Sequence, residues 1–205
     1  MTHTTQRAQR RRDWRAESAE KAALLLIVGI LSAGTLLAAQ SASPSPAATE
    51  AVVETAQGRF VIRLVPEIAP RHVQHFAETA RAGGYDGTTF HRIVPHGIIQ
   101  GGDPLSKDPA KAALYGTGGL GLLKAEFSDR PMTRGSVAAV RRPSSKDSAG
   151  NQFFICLSDQ AALTGKFTIF GEVVEGMDVV DKIGETPVEG DRAQTRVEIR
   201  KVSVR

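Results

Sequence analysis

Between Val52 and Val204 the chain is cut into short β-prone runs by glycine, proline and small polar residues. The pattern leaves room for only two helices, so it points to a closed or sandwich-like antiparallel β fold and away from a βαβ series. Val52–Thr55 and Arg59–Val65 flank Ala-Gln-Gly, and in the second run Phe60, Ile62 and Leu64 alternate with Arg59, Val61 and Arg63. That is the pattern of a hairpin with one buried face. Further runs fall at Thr88–Val94, Ile98–Gln100, Ser136–Val140, Phe153–Leu157 and Phe167–Val174. In the last run, Thr195–Val204, the apolar parity changes between Val197/Ile199 and Val202/Val204, which predicts a β-bulge near Arg200-Lys201. One helix starts at Ala69-Pro70, with Val73, Phe76, Ala77 and Ala80 on one face, and stops at Gly83-Gly84. A second, short helix is predicted over Met177–Ile183.

The 205-residue chain has a pI near 9.5, but the charge is unevenly placed. Residues 1–21 hold 6 Lys/Arg against 3 Asp/Glu, leaving 20 basic and 19 acidic residues for the remainder. A nearly neutral body excludes a nucleic-acid-binding face. After this basic head, residues 22–39 form an uncharged stretch of 18 residues rich in Leu, Ile, Ala and Val. As a helix it would reach about 27 Å, close to the hydrocarbon thickness of a bilayer and longer than the core of most signal peptides. A retained transmembrane anchor is therefore the expectation, with removal as a secretory signal the alternative. The positive-inside rule then places everything after Ala39 outside the cytoplasm, in the periplasm or at the cell exterior. Residues 40–50, rich in Ser, Ala and Pro, read as a linker, and 51–205 as the folded domain.

Cys156 is the only cysteine, so no intrachain disulfide can form, and its apolar neighbours mark it as a small buried hydrophobe. The five histidines do not make a metal-ligand set. Gly116-Thr117-Gly118-Gly119-Leu120-Gly121 fits G-x-G-x-x-G, but no full helix follows and Ser136–Arg142 holds no acid, so a dinucleotide site is rejected.

Phe90-His91-Arg92-Ile93-Val94-Pro95-His96-Gly97-Ile98-Ile99-Gln100-Gly101-Gly102-Asp103 closely resembles the signature of the cyclophilin family. The resemblance extends to Tyr85–Thr89, Gly116–Gly119, Ser148–Ile155 and Leu163–Gly171, in the family's order and approximate spacing. It implies a closed eight-stranded antiparallel barrel with two helices, acting as a peptidyl-prolyl cis-trans isomerase on proline-containing polypeptides, as a monomer without metal or cofactor. With the targeting segment, it implies a role in folding exported or membrane-proximal proteins.

Rotation about an X-Pro bond breaks no covalent bond. Its barrier of about 18–20 kcal/mol comes from amide resonance, so a catalyst must hold the ring and favour the twisted amide. A permanently charged, multi-donor guanidinium suits the nitrogen lone pair that appears on twisting. The resemblance gives that role to Arg92, supported by Gln100. It makes Ile98, Phe154 and Leu163 the proline pocket, with Phe154 as its floor, and counts Phe167 among the substrate-binding residues. Gly116, Val140, Arg141 and Gln152 would meet the substrate chain. His91 has no proton to transfer and is read as structural.

The sequence also departs from the family. Gly97 stands where an aromatic ring is usual, Ile98 where methionine is frequent, Ala162 where some members have tryptophan and Phe167 where some have histidine. The first departure predicts a pocket with one wall partly missing. It supports an alternative reading as a cyclophilin-shaped binding or chaperone module with little turnover.

Overall fold

The Ala-Gln-Gly turn closes tightly between strand β1 (Glu50–Thr55) and strand β2 (Gly58–Leu64). Gly58 takes φ +132°, and the Thr55 hydroxyl donates to its carbonyl while accepting from the Gln57 N–H. The structure, a computed structural model, describes residues 49–205. The other strands are β3 (Arg92–Val94), β4 (Ile98–Gly101), β5 (Ser136–Ala139), β6 (Phe153–Cys156), β7 (Ile169–Glu175), β8 (Val188–Glu189), β9 (Arg192–Ala193) and β10 (Ile199–Val204). They form one antiparallel sheet in the order β10-β1-β2-β7-β5-β6-β4-β3-β9-β8. The predicted bulge is present: Glu54 pairs with Lys201 but Thr55 pairs with Ile199, so Arg200 is the extra residue.

Helix α1 (Pro70–Arg81) buries the predicted face, Val73, Phe76, Ala77 and Ala80, against the sheet. Helix α2 (Met177–Gly184) adds Val179, Val180 and Ile183 to the same core. At its centre Phe76 packs against Tyr85, Phe153 and Phe170 with ring centroids 4.9–5.8 Å apart.

Two expectations are corrected. The sheet is not a closed eight-stranded barrel: it has ten strands and two ends, β10 and β8. The extra strands come from Val188–Ala193, which folds on a Gly190-Asp191 turn. Residues 88–90, expected to be strand, are partly used in turns, with the Thr88 N–H on the Tyr85 carbonyl just after Gly87 at φ +77°. With Gly87 they meet Val197–Ile199 through the backbone hydrogen bonds Gly87 N–H to Ile199, Phe90 N–H to Val197 and Ile199 N–H to Thr88, and through one isolated bridge, Thr89 with Glu198, without forming a named strand there. The second correction concerns the transmembrane helix. Among the described residues no helix is long and apolar enough to cross a membrane, and residues 22–39 lie outside them, as do the basic head and nearly all of the linker. The architecture that stands is a mainly β domain with two helices.

The N-terminus of α1 has no side-chain cap of its own at Ala69. Glu126 supplies one from across the fold: its carboxylate accepts from the backbone N–H of Arg71 and His72, from Arg71 Nε, and from His72 Nδ1 at 2.6 Å. An anion at a helix start satisfies orphan donors and the helix dipole together. Burial alone would raise the Glu126 pKa, but the hydrogen bonds from His72 and Arg71 hold it below the ordinary value. Burial lowers that of His72, against the opposing pull of Glu126. Its Nε2 is buried without a partner, which suits the neutral ring.

Both depressed values make stability present at neutral pH and lost on acidification. The unfolding midpoint should fall first below about pH 6.5, as the unfolded chain gains a proton at His72 that the native state resists, and again below about 4.5 as Glu126 protonates. Glu126→Gln should destabilise by about 1–3 kcal/mol at pH 7 and flatten the lower limb. Thermal melts from pH 8 to 4 check this, and a midpoint constant over that range would contradict it.

Candidate functional site

An antiparallel register sets the site. Arg92 lies opposite Gln100, Gln100 opposite Phe154, and Phe154 opposite Ala138, so β3, β4, β6 and β5 present one continuous row. Residues one step along, Ile93, Ile99, Ile155, Val137 and Phe153, are buried in the main core. Because a strand alternates its faces, the row must point away from that core. Phe154, Ala138, Cys156, Ile169 and Met132 form a second, smaller apolar cluster there, with Ile98, Val140, Leu163 and Phe167 packed on it.

Over this cluster opens a cavity of about 350 Å³ with Phe154 and Phe167 edge to face, ring centroids 5.3 Å apart. Its wall also holds Arg92, Val94, Gly97, Ile98, Gln100, Val140, Arg141, Gln160 and Leu163. An apolar concavity with a few convergent polar groups is the usual form of a ligand site. A larger cavity, about 540 Å³, lies on the other side of the 94–97 turn, lined by Pro95, His96, Arg134, Asp181 and others. There Arg134 and Asp181 satisfy each other through two hydrogen bonds of 2.7–2.8 Å.

Polar groups run from the cavity into the protein as a chain. Arg92 Nη1 donates to Gln100 Oε1 at 3.3 Å, Gln100 Nε2 to Gln152 Oε1 at 3.0 Å, and Gln152 Nε2 to the Gly118 carbonyl at 2.7 Å. Asp103, fully buried, accepts from the backbone N–H of Leu105, Gly116 and Gly118. The glycine loop is thereby tied to the same network. Gly116 takes φ +91°, and a Cβ at Gly118 would overlap Asp103 Oδ1 and Leu105, so these positions need glycine.

His91 sits behind Arg92, buried, with its ring edge-on to Tyr115 and no partner for either nitrogen. Burial pushes its pKa down against the opposing charge of Asp103, which keeps the ring neutral and fits the structural role expected of it.

The sequence matches the family described as Cyclophilin type peptidyl-prolyl cis-trans isomerase/CLD over residues 51–204. The chain belongs to the cyclophilin family. It is similar to a probable peptidyl-prolyl cis-trans isomerase of Brucella suis, 39% identical over 158 residues that cover 75% of this chain and 79% of the relative. A peptidyl-prolyl cis-trans isomerase-like 1 of Neurospora crassa is 38% identical over 160 residues, covering 77% and 94%. Among solved structures, a cyclophilin type peptidyl-prolyl cis-trans isomerase of Cryptosporidium parvum, crystallised in the presence of the dipeptide Ala-Pro, shares the fold. Its TM-score is 0.69 at 23% identity, covering 76% of this chain and 98% of that one. This cyclophilin is a peptidyl-prolyl cis-trans isomerase.

Of the residues singled out from sequence, the cyclophilin cavity brings together Arg92, Gln100, Ile98, Val140, Arg141, Phe154, Leu163 and Phe167. Gln152 lies beneath the wall and touches Gln100. Gly116 is outside the cavity, and its N–H is taken by Asp103. Sequence reasoning missed Asp191, whose carboxylate accepts from Arg92 Nε at 2.6 Å. It is carried on the β8–β9 turn, and its carbonyl accepts from the Ile93 N–H at 2.8 Å. Glu-Gly-Asp-Arg could have been read as a turn, but nothing in a separation of 99 residues points to Arg92.

Gly97 does line the cavity, but the space beside it is partly taken. A Cβ there would lie 3.0 Å from Val94 Cγ1 and 3.4 Å from the Val94 carbonyl oxygen. Val94 is the first neighbour a side chain at 97 would meet; His96 lines the other cavity and takes φ +60°. Gly97→Phe alone should therefore overpack the turn and leave kcat/KM without gain, whereas Gly97→Phe with Val94→Ala should raise it several-fold through contact with the prolyl ring. Paired melts and isomerisation rates test this. A single variant of unchanged stability that gains as much as the double one would show that Val94 is no obstacle.

Proposed function

We propose that Arg92 is the electrophilic donor of this isomerase and that Phe154 holds the prolyl ring beneath it. The reading is carried by one observation: Arg92, Gln100 and Phe154 occupy consecutive places in a cross-strand row, which puts a guanidinium beside an apolar floor. As the amide twists, the prolyl nitrogen regains a lone pair that the planar forms lack. A donor aimed there binds the transition state better than either ground state, which is the condition for acceleration. Asp191 and Gln100 hold the guanidinium from two sides, so little reorganisation is needed when the lone pair appears.

Arg92→Ala should lower kcat/KM for a proline peptide by about 10²–10³-fold with the melting temperature little changed. Arg92→Lys should recover only part of the loss, because one ammonium cannot keep both the Asp191 and Gln100 contacts while donating to the substrate. A folded Arg92→Ala variant with near-normal turnover rules the assignment out. If peptide binding persists while wild-type turnover equals buffer alone, binding without catalysis is the correct reading.

We further propose that the clients are exported proteins. Support comes from the basic residues 1–21 followed by the uncharged stretch 22–39, a pattern that directs the following chain across a membrane. In cells making the full chain with a C-terminal tag, protease added outside the cytoplasmic membrane should digest the isomerase domain. Protection until the cells are lysed would place the domain inside and remove the proposal.

A further inference from the structure

The cavity wall carries two arginines in different electrostatic states. Arg92 is paired with Asp191. Arg141 has no carboxylate within ion-pair distance among the described residues, although Arg63, Arg71, Arg130, Arg134 and Arg205 each hold one. Its guanidinium is nevertheless fixed. The preceding Val140 N–H donates to the Gln152 carbonyl and the following Arg142 N–H to Ser148 Oγ, so the backbone is held on both sides. The Arg141 side chain lies over Phe167 with Cζ 4.9 Å from the ring centroid, Nε donating to the Lys166 carbonyl and Nη1 to that of Arg142. Nη2 has no partner among the described residues.

The surroundings add to this charge. Arg142 and Lys166, its exposed chain neighbour and the residue whose carbonyl it holds, are also basic, and neither Asp147 nor Asp159, which accept from the backbone N–H of Ala125 and Arg134, forms an ion pair with it. A pre-positioned, uncompensated guanidinium at the edge of an apolar pocket suits a carboxylate, which can take its remaining donors with little loss of side-chain freedom.

We infer that Arg141 makes this isomerase selective for proline segments with an acidic side chain next to the prolyl bond. The inference rests on the proposed proline pocket: Arg141 shares the cavity wall with Phe154 and Phe167, and a neighbouring residue lies only about 3.3–3.6 Å further along an extended chain. A basic neighbour is disfavoured by the same field.

The test uses the full chain and matched peptides with Glu, Gln or Lys placed before or after a single proline. At low salt, kcat/KM should be about 3–5-fold higher for Glu than for Gln on at least one side, and lower for Lys, as expected for a solvent-accessible ion pair. The preference should shrink at about 0.5 M salt, where the screening length is a few ångströms. Arg141→Gln should bring the Glu to Gln ratio to about one, and Arg141→Lys should keep part of it. Equal rates for Glu and Gln with the wild-type protein, or a preference that survives Arg141→Gln, overturns the inference. Turnover of the Gln peptide above the buffer rate leaves the isomerase reading intact in either case. If no peptide turns over, that reading falls instead, and titration calorimetry with the same peptides still decides the selectivity.

Discussion

Strand register is the constraint on which the rest depends. Moving β4 by one residue against β3 and β6 would turn Gln100 into the main apolar core and Ile99 out toward the cavity, because the side-chain period of a strand is two. The core prevents that slip. Ile93, Ile99, Phe153 and Ile155 are fully or almost fully buried, and exposing a side chain of that size sacrifices about 1.5–3 kcal/mol. Arg92, Gln100 and Phe154 are therefore placed by residues that never touch substrate. The proposed catalytic face is held by the hydrophobic effect acting on the opposite face.

The polar chain behind that face is of another kind. Gln100, Gln152 and Asp103 are buried, so each must be satisfied, and the partners they find bind a strand, the start of another strand and a glycine loop into one unit. Removing any member leaves a buried group unpaired. Gly116 and Gln152, which do not line the cavity, are linked in this way to Gln100 and, beyond it, to Arg92.

Much of this was legible in the sequence because it was local. The β1–β2 alternation, the buried stripe of α1 and the parity change that placed a bulge near Arg200-Lys201 all follow from periodicity within a few residues. The site row was legible through resemblance, since its members fall in blocks whose order and spacing carry the signature. What escaped was long-range and polar. Glu126 caps a helix 55 residues away, and Asp191 grips an arginine 99 residues away; both sit in irregular segments without period. The open sheet escaped for a related reason: β8 and β9 are two residues each, too short for any pattern, and one bridge at Thr89 cannot be told from a full ladder by β-propensity.

β1 pairs along its length with β10, and the backbone of Thr49 and Glu50 meets that of Arg205 at 3.0 Å. The first strand of the domain thus waits for the last. During synthesis β1 can pair with β2 as soon as both have emerged, but Ala51 and Val53 gain their second neighbours only when Val202 and Val204 arrive. Until then β1 is an exposed sheet edge with unpaired backbone groups, open to pairing with another chain. This isomerase thus has, in its own sheet, a pairing step that cannot begin before β10 has emerged.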